Sequence, residues 1–419
     1  MNIKEAAKIL NVSEMTVRRW TNAGSLHCYR IGGKHERRFK IQDLQDYLEK
    51  EVVVADTACE VPIGFEGLTV PDGSHMTQLR LNNMPKTKRQ IMAADIGGTH
   101  SRFAYFTVDE SERLDLVSLL WLKTAEASSF ADLLQHLRDS DFPFDPRQAD
   151  IVGIAIAGPV TGGVIGNPPL IPWEVDITHA GRDYGFQRSI LINDFVAQAF
   201  SCISPIGKSA EIILAGTPEP LSTIAVIGAG TGLGKALLVP DERGNYSAAP
   251  SEGGHACFPF VGDREFAFQH FLISAWQTPY ATYNHVVSGS GLTAIHEFLS
   301  GRHLEPSQVV ERFSSHPETV SWFARFYGRA CRDFALETLS RGGLYVAGGI
   351  AATNPAIVFH ESFKNEFLDS ETMNHLLTRL PVFLIKDQNS GLWGAAMKAA
   401  QTLARGGKTG TGMPGSLEE

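Results

Sequence analysis

The sequence predicts an α/β fold preceded by a small, basic, helical unit. From Ile91 onward, short runs rich in β-branched residues alternate with amphipathic helical segments, which is the pattern of α/β architectures. Three glycine-rich segments flank the predicted strands, and residues 1–50 have helical periodicity. At 419 residues and roughly 150 residues per domain, the chain has room for about three folded units.

Two stretches are predicted to lie outside these units. Residues 51–90 lack sustained periodicity and contain several prolines, which predicts a linker. The apolar runs 52–54 and 68–70 could instead pair as a small hairpin, which stays an alternative for this stretch. Residues 405–419 are rich in glycine and predict a flexible tail.

Composition excludes several classes of protein. Apolar residues make up 43% of the chain and charged residues 20%, as in an ordinary globular protein. The five cysteines are far apart with no C-x-x-C pair, which argues against a disulfide framework or thiolate zinc site. The longest uncharged stretch, Ile151–Trp173, is interrupted by glycines and prolines, and no apolar leader begins the chain. We therefore expect a cytoplasmic protein without membrane contact.

Charge is divided unevenly along the chain. Residues 1–50 carry ten Lys/Arg and six Asp/Glu, a net charge of +4, whereas the remainder carries −13. A basic head on an acidic body predicts that only the head contacts a polyanion.

The head has the spacing of a helix-turn-helix motif. Ile3, Ala6 and Leu10 fall on one helical face, and Asn11-Val12-Ser13 forms a short turn before a second helix that ends near Trp20. Side chains on the outer face of that helix can reach a major groove or its flanking phosphates; these are Thr16, Arg18 and Arg19.

A cationic hairpin is predicted after the second helix. Tyr29–Ile31 and Arg37–Phe39 flank Gly32-Gly33-Lys34, so the strands would form a wing that contacts phosphates. The candidate contacts are Arg30, Lys34, Arg37 and Arg38. Residues 1–50 resemble the excisionase and MerR-like winged-helix family, which implies double-stranded DNA as a partner. A helical module that docks on protein is the alternative.

The first glycine-rich segment follows a predicted strand, Ile91–Ala94. Asp95 ends that strand, and Gly97, Gly98 and Thr99 form the turn before the next strand. Glycines let phosphate oxygens approach the backbone, a Thr hydroxyl can donate to them, and a carboxylate can hold Mg²⁺. A tight hairpin without ligand is the alternative.

Two further glycine-rich segments follow strands. The strand 222–227 leads into a loop with Gly228, Gly230, Thr231, Gly232 and Gly234. The spacing fits neither a P-loop nor a dinucleotide fingerprint, so it predicts a different phosphate loop. In the third segment, Gly348 and Gly349 lie before a helix expected near Thr353, where an adenosine could contact the backbone. A plain turn would explain any one of these segments alone.

Polar residues follow two other predicted strands. Residues 189–192 form an apolar run that delivers Asn193 and Asp194, and ligand sites gather at such strand ends. Asp194 could accept a proton from an attacking hydroxyl, while helix capping is the alternative reading of the pair. Glu252 and His255 offer hydrogen-bonding groups suited to vicinal diols, although a surface turn would also contain them.

Taken together, the motifs over residues 91–402 resemble the bacterial glucokinase family of the actin-like, sugar kinase and chaperone ATPase superfamily. The matching strings are A94-D-I-G-G-T99, I156-A-G-P-V160, L191-I-N-D-F195, G228-A-G-T-G-L-G234, S251-E-G-G-H255, S288-G-S-G-L292 and G342-G-L-Y-V-A-G-G-I350.

The resemblance implies a two-lobed, ribonuclease H-like (actin-like ATPase) kinase with lobes at 91–200 and 201–404. It also implies ATP and Mg²⁺ as cofactors, with Asp95 toward the metal, and a homodimer. Asp194 would be the general base for the 6-hydroxyl of glucose or a related hexose. Asn193, Glu252 and His255 would hold other hydroxyls.

The chain departs from that family in the sugar motifs. Asn284 stands where the family has a sugar-binding Glu, Pro169-Leu170 replaces Thr-Asn before Trp173, and His100 replaces a common Asn. The zinc signature of a related kinase and repressor group is absent, so we expect no structural metal. Two alternatives stay open: a kinase for another hexose or an amino sugar, and a sugar-sensing DNA-binding regulator with weak or no kinase activity.

Replacing Arg18 or Arg37 by alanine is expected to weaken binding to duplex DNA, because each arginine would neutralise one phosphate. In fluorescence-anisotropy titrations, the slope of log K against log salt should fall by about one per arginine. A protein-docking module would bind the same duplex no differently after either substitution.

Overall fold

The computed structural model describes most of the second part of the chain and selected residues of the first. The described residues are 4, 6, 17, 21, 27–31, 36–40, 88–109 and 113–406. The chain divides into two compact units, residues 1–81 and 82–419. Residues 51–87 of the predicted linker and 407–419 of the predicted tail lie outside the described residues.

The first unit combines helical positions with a hairpin. Lys4, Ala6, Val17 and Thr21 are helical, and Ala6 and Val17 are fully buried. The hairpin pairs β1 (Tyr29–Ile31) with β2 (Glu36–Arg38) in antiparallel register, in agreement with the predicted wing. Of the predicted DNA contacts, Thr16, Arg18, Arg19 and Lys34 lie outside the described residues, and only the backbone is described for Arg30, Arg37 and Arg38.

The second unit begins with a five-stranded mixed sheet. Its strands are β3 Arg89–Ile96, β4 His100–Val108, β5 Leu114–Lys123, β6 Ile151–Ile156 and β10 Ser189–Asn193. Their order in the sheet is β10-β6-β3-β4-β5. Parallel pairing joins β10 to β6 and β6 to β3, whereas β3, β4 and β5 are antiparallel. A small separate sheet contains β7 Val160–Thr161, β8 Ile165–Gly166 and β9 Val175–Asp176.

A six-stranded mixed sheet forms the other lobe. Its strands are β11 Glu211–Leu214, β12 Ile224–Ala229, β13 Leu233–Pro240, β14 Tyr246–Ser251, β15 Gly343–Ala347 and β16 Val382–Leu384. Their order in the sheet is β11-β16-β15-β12-β13-β14. The parallel trio β12, β15 and β16 is buried because helices cover it.

Helices connect and cover both sheets. They are α1 Phe130–Arg138, α2 Ala180–Asp183, α3 Asp194–Ser201, α4 Pro205–Lys208, α5 Asp263–Trp276, α6 Tyr283–Val286, α7 Gly289–Ser300, α8 Pro306–Glu311, α9 Pro317–Thr338, α10 Gly349–Thr353, α11 Glu361–Leu368, α12 Asn374–Leu377 and α13 Ser390–Gly406. Short 3₁₀ turns lie at Thr124–Glu126, Pro146–Gln148, Gly253–His255 and Pro355–Ile357. None of the helices in the described part of the chain is both long and apolar enough to cross a bilayer.

The core of the second lobe is aromatic and lies under α5 and α9. Phe258, Phe268 and Phe326 are fully buried there, and the Phe326 ring contacts both of the others. Arg329 of α9 is buried beside them, and its charge is compensated because it donates to Glu265 at 2.6 Å. This rigid layer supports the strands that carry the second glycine loop.

The last helix packs on the first sheet although it follows the second sheet in sequence. Leu392 and Ala395 of α13 are buried against Ile91 and Ile151. The lobe boundaries 91–200 and 201–404 stay a prediction, but α13 belongs by its packing to the first lobe. It also touches α3, because Gly394 lies against the backbone carbonyl of Ala197.

Gly394→Ala is expected to destabilise the protein by about 1–3 kcal/mol through overpacking, although alanine normally favours a helix by about 1 kcal/mol. The reason is that a Cβ at this position would overlap the Ala197 carbonyl. Thermal unfolding would measure the change. Gly181→Ala is the control, since its Cβ would lie 3.4 Å from the nearest atom, the Phe186 oxygen; equal effects of both substitutions would contradict the proposed contact.

Candidate active site

Asp194 lies at the carboxyl end of β10 and is the first residue of α3, as the strand pattern predicts. Asn193 caps this helix: its Oδ1 accepts from the N–H groups of Phe195 at 2.9 Å and Val196 at 3.2 Å. Its Nδ2 donates to the Gly158 carbonyl and to Asp194 Oδ1, both at 2.9 Å. Asn193 therefore caps helix α3, and the same strand end positions the carboxylate of Asp194.

The hydrogen-bonding capacity of the Asn193 side chain is fully used within the protein. An amide group offers two hydrogens and two lone pairs, and all four have partners here. The structure thus places Asn193 as a residue that orients Asp194. Its predicted contact with a sugar hydroxyl stays a prediction.

The surroundings of Asp194 disfavour its charge. Burial, the charge of Asp95 and, less strongly, that of Glu252 raise the pKa of Asp194 to about 7, against hydrogen bonding from the Phe195 N–H at 2.9 Å. A carboxylate with this pKa is matched to proton transfer near neutral pH. Asp95 and Glu252, predicted from two other motifs, are thus both within electrostatic reach of Asp194.

Asp95 lies near the end of β3 and is held by Arg102 from β4. The Arg102 Nη1 donates to Asp95 Oδ2 at 2.9 Å, and the guanidinium lies 4.4 Å from the centre of the Trp121 ring. Burial nevertheless raises the pKa of Asp95 above its usual value. Sequence reasoning missed Arg102, although a single cation within the apolar strand 100–108 was a usable signal.

The first glycine loop is the tight hairpin between β3 and β4. The Gly97 N–H donates to the His100 carbonyl at 3.2 Å, and the Thr124 hydroxyl donates to the Gly97 carbonyl at 2.6 Å. Thr99 is exposed. A Cβ at Gly98 would lie 2.8 Å from the Leu170 Cβ, so the exposed Leu170, a departure from the family pattern, contacts this loop.

The second glycine loop is shorter than predicted. The predicted strand 222–227 is β12, Ile224–Ala229, so Gly228 lies in β12, Gly234 lies in β13, and the two pair across the hairpin. Only residues 230–232 remain as a loop. A Cβ at Gly234 would overlap the Phe195 ring, and one at Gly228 would lie 3.1 Å from it. These two glycines make room for the residue next to Asp194.

A helix N-terminus adjoins the second loop. The Gly289 N–H, at the start of α7, donates to the Gly230 carbonyl at 2.9 Å, and Ser288 caps α7 by accepting from the Gly291 N–H at 3.1 Å. The Gly230 N–H donates to the Gly232 carbonyl at 2.8 Å. The backbone donors of Thr231 and Gly232 and the positive end of this helix favour an anion at the same place.

The third glycine segment turns directly into a helix. The prediction of a helix start near Thr353 was wrong: α10 begins at Gly349 and ends at Thr353. Gly348 has a φ of +85° and a Cβ there would lie 2.8 Å from the Ala229 carbonyl, so only glycine allows this turn. No atom lies within 4 Å of a Cβ placed at Gly349, which leaves open space beside the backbone.

Glu252 and His255 project from the turn after β14. The Glu252 Oε2 lies 3.8 Å from the His255 Nε2, and the two side chains are 75% and 71% exposed. Asn284 joins them: its Nδ2 lies 3.3 Å from the ring nitrogens of His255, and its Oδ1 accepts from the Leu233 N–H at 2.6 Å. Three of the predicted sugar residues, Glu252, His255 and Asn284, therefore form one cluster beside the second loop.

A cavity of about 390 Å³ separates the two sheets at their edges. Asn193 lines it from β10, and Ser251 and Glu252 line it from β14. The cavity thus brings Glu252 of the predicted sugar turn and Asn193, the neighbour of Asp194, to one space. Asp194 and His255 are not among the residues that line it.

The acidic residues suit a hard divalent cation. Asp95 and, less strongly, Glu252 raise the cost of ionising Asp194, and carboxylate oxygens are ligands that Mg²⁺ accepts. In the described part of the chain no group of three or more His, Cys, Asp or Glu side chains is placed to hold a metal. The residues present therefore fit an Mg²⁺ ion that is bound by one or two carboxylates together with substrate phosphates.

Comparison with known proteins decides the family. Residues 92–402 match the family described as Glucokinase. The chain belongs to this family. It is 30% identical over 347 residues to the glucokinase of Nostoc sp., covering 74% of this chain and 99% of the relative. It is 31% identical over 340 residues to that of Nitrobacter hamburgensis, covering 77% and 98%.

Solved structures agree with this glucokinase fold. The crystal structure of a glucokinase from an Antarctic psychrotroph has a TM-score of 0.65 at 26% identity, covering 74% of this chain and 99% of that chain. A Balamuthia mandrillaris glucokinase in complex with glucose has a TM-score of 0.60 at 20% identity, covering 75% and 94%, and supports the fold alone. The predicted two-lobed actin-like fold is confirmed, and the glucokinase-family body is an ATP-dependent phosphotransferase.

The amino-terminal prediction is confirmed at the level of the domain. Residues 1–52 match the family described as Helix-turn-helix domain. This glucokinase-family chain therefore combines a kinase body with a helix-turn-helix head.

Asp194→Asn is expected to raise the melting temperature at pH 8 relative to the unsubstituted protein. The folded-state pKa of about 7 exceeds the ordinary value of 3.8, so ionised Asp194 opposes folding, fully above pH 7 and progressively less toward pH 4. The gain should therefore shrink when unfolding is followed at pH 5.

Asp241→Asn is the matched control for this titration. Backbone N–H groups in the β13–β14 turn lower the pKa of Asp241, so its charge supports folding above pH 4 and its removal should lower the melting temperature at pH 8. A gain for Asp194→Asn of the same size at both pH values would show that Asp194 titrates normally.

Proposed function

We propose that the kinase body transfers the γ-phosphoryl group of ATP to the 6-hydroxyl of glucose, with Asp194 as the general base. The observation that carries this proposal is the placement of Asp194. It lies at a strand end beside Asp95 of the first glycine loop, and Phe195 packs against the second. The glucokinase relatives support hexose as the substrate class.

One of the two carboxylate oxygens of Asp194 is hydrogen-bonded within the protein. Oδ1 accepts from the Asn193 amide and the Phe195 N–H, which leaves Oδ2 for the substrate hydroxyl. The raised pKa means that the carboxylate accepts a proton more readily than an ordinary Asp. As the sugar oxygen attacks phosphorus, Asp194 takes its proton.

The glycine loops position the nucleotide. We propose that Gly98, Thr99, Thr231 and Gly232 hold the phosphates through N–H and hydroxyl groups. Gly97 and Gly230 would contribute by shaping the two turns, because their own N–H groups donate to the His100 and Gly232 carbonyls. Gly348 and Gly349 would lie against adenosine, with open space beside the backbone at Gly349. Mg²⁺ held near Asp95 would neutralise phosphate charge when bound. Gly228 and Gly234 would contribute by leaving room for the Phe195 ring beside the β12–β13 hairpin.

Glu252 and His255 are proposed to hold the remaining sugar hydroxyls. Both are largely exposed, so approach of the lobes around the sugar would be needed to desolvate them. Asn284 in place of a Glu changes the charge beside His255, which keeps another hexose or an amino sugar as the alternative substrate.

The helix-turn-helix head is proposed to bind double-stranded DNA through its basic face. Joined to a sugar kinase, it would let sugar or nucleotide binding influence transcription. The homodimer stays a prediction; two heads would then read half-sites one helical turn apart.

Asp194→Asn is expected to lower kcat for glucose by about 10²–10⁴-fold, the usual contribution of a general base. The KM for ATP should change little, because the glycine loops are untouched. A coupled assay for ADP release with glucose, mannose, fructose and glucosamine would measure both constants and the sugar preference.

Asp183→Asn, which removes an exposed carboxylate paired with Arg182, should retain full activity in the same assay. Undiminished turnover of Asp194→Asn would remove Asp194 from the mechanism. Absence of turnover with every sugar in the panel would instead favour a sugar-sensing regulator.

A further inference from the structure

Asn284 contacts both the second glycine loop and the turn that carries Glu252 and His255. Its Oδ1 accepts from the Leu233 N–H at 2.6 Å, and its Nδ2 lies 3.3 Å from the His255 ring nitrogens. The same Oδ1 lies 3.3 Å from the position of a Cβ at Gly232 and 2.6 Å from that of a Cβ at Gly254. The absence of side chains at these two glycines is what admits Asn284 between them.

The backbone around Asn284 is tied to both partners. On one side, the Gly289 N–H donates to the Gly230 carbonyl at 2.9 Å. On the other, the Tyr283 N–H donates to the Ala256 carbonyl at 3.1 Å. Segment 281–289 is therefore attached to the loop at one end and to the sugar turn at the other.

The base of this segment is fixed. The Tyr283 hydroxyl donates to Asp333 of α9 at 2.7 Å. Lys235 is 1% exposed, its Nζ lies 4.3 Å from the centre of the Tyr283 ring, and its side chain lies directly beneath Gly253. Because the backbone of segment 281–289 is held in this way, a shift of the Leu233 N–H would be transmitted through the Asn284 side chain to His255.

We propose that Asn284 is a positioning residue that couples nucleotide binding to sugar binding; the inference rests on the proposed function. Phosphates bound at residues 230–232 fix the Leu233 N–H, which fixes the Asn284 amide and, through it, the orientation of the His255 ring. The exposed His255 is thereby ordered before the sugar arrives. By linkage, the sugar tightens nucleotide binding by the same factor.

Calorimetric titration of the full-length protein tests this coupling. Glucose is titrated without nucleotide and with a saturating non-hydrolysable ATP analogue and Mg²⁺, and the ratio of the two Kd values is the coupling factor. For the unsubstituted protein we expect a factor on the order of 5–150. Asn284→Leu, similar in size but without either hydrogen bond, should bring it close to one while weakening the nucleotide-free Kd only modestly.

Two further variants of Asn284 and one control at another site complete the test. Asn284→Ala carries the same expectation and serves where Asn284→Leu fails to fold. Asn284→Asp retains an acceptor for the Leu233 N–H and should preserve part of the coupling. Asn245→Ala, in an exposed turn where the side chain bonds only Asp241, should leave the factor unchanged.

The outcomes separate this inference from the proposed function. Unsubstituted protein that does not bind glucose removes the proposed function, and the inference with it. Glucose binding with a coupling factor of one overturns the inference alone, as does an unchanged factor in Asn284→Leu or Asn284→Ala. Loss of glucose binding in a folded Asn284 variant, with or without nucleotide, would show a direct sugar contact and also overturn it.

Discussion

The carboxylate of Asp194 occupies a position where its own charge is disfavoured. It begins a helix, and an N-terminus favours negative charge, yet burial and the neighbouring Asp95 outweigh this and move its pKa to about 7. Protonation of Asp194 is therefore more favourable than protonation of an ordinary aspartate. The same repulsion favours a cation beside these carboxylates, and the Mg²⁺ ion of a bound nucleotide would supply one.

Helix α3 holds this carboxylate between the two lobes. Ala197 on one face packs with α13 and the first sheet, whereas Ala199 and Phe200 pack against the second sheet. Close backbone approach at Gly394 and room for the Phe195 ring at Gly228 and Gly234 fix where the helix begins. Movement of one lobe against the other would act directly on the environment of Asp194.

The sequence patterns located the strand ends well because apolar runs stop where polar or glycine residues begin. Asp95 and Asp194 were placed at strand ends on that basis, and the wing strands agree with the hairpin. The second loop was predicted too long, because Gly228 and Ala229 continue β12 by pairing with Ala347 and Leu233. The partner Ala347 lies more than a hundred positions away in the sequence, so this pairing has no local signal.

Contacts between distant segments could not be predicted from local pattern. The Arg102–Asp95 pair joins two strands, Lys235 lies beneath a turn from another strand, and Asn284 spans two segments. The family pattern drew attention to Asn284 as a departure but gave no partner for it. Only the tertiary arrangement shows that its amide serves both the loop and His255.

In the proposed mechanism, Asp194 faces the reacting hydroxyl of a sugar lying between the two glycine loops. A crystal structure of the protein with glucose and a non-hydrolysable ATP analogue is the most direct test of this placement. We expect an Asp194 carboxylate oxygen at hydrogen-bond distance, roughly 2.6–3.2 Å, from the glucose 6-oxygen, with the γ-phosphate on the other side of that oxygen. Glucose bound with its 6-oxygen out of reach of Asp194, or against a different carboxylate, would contradict it.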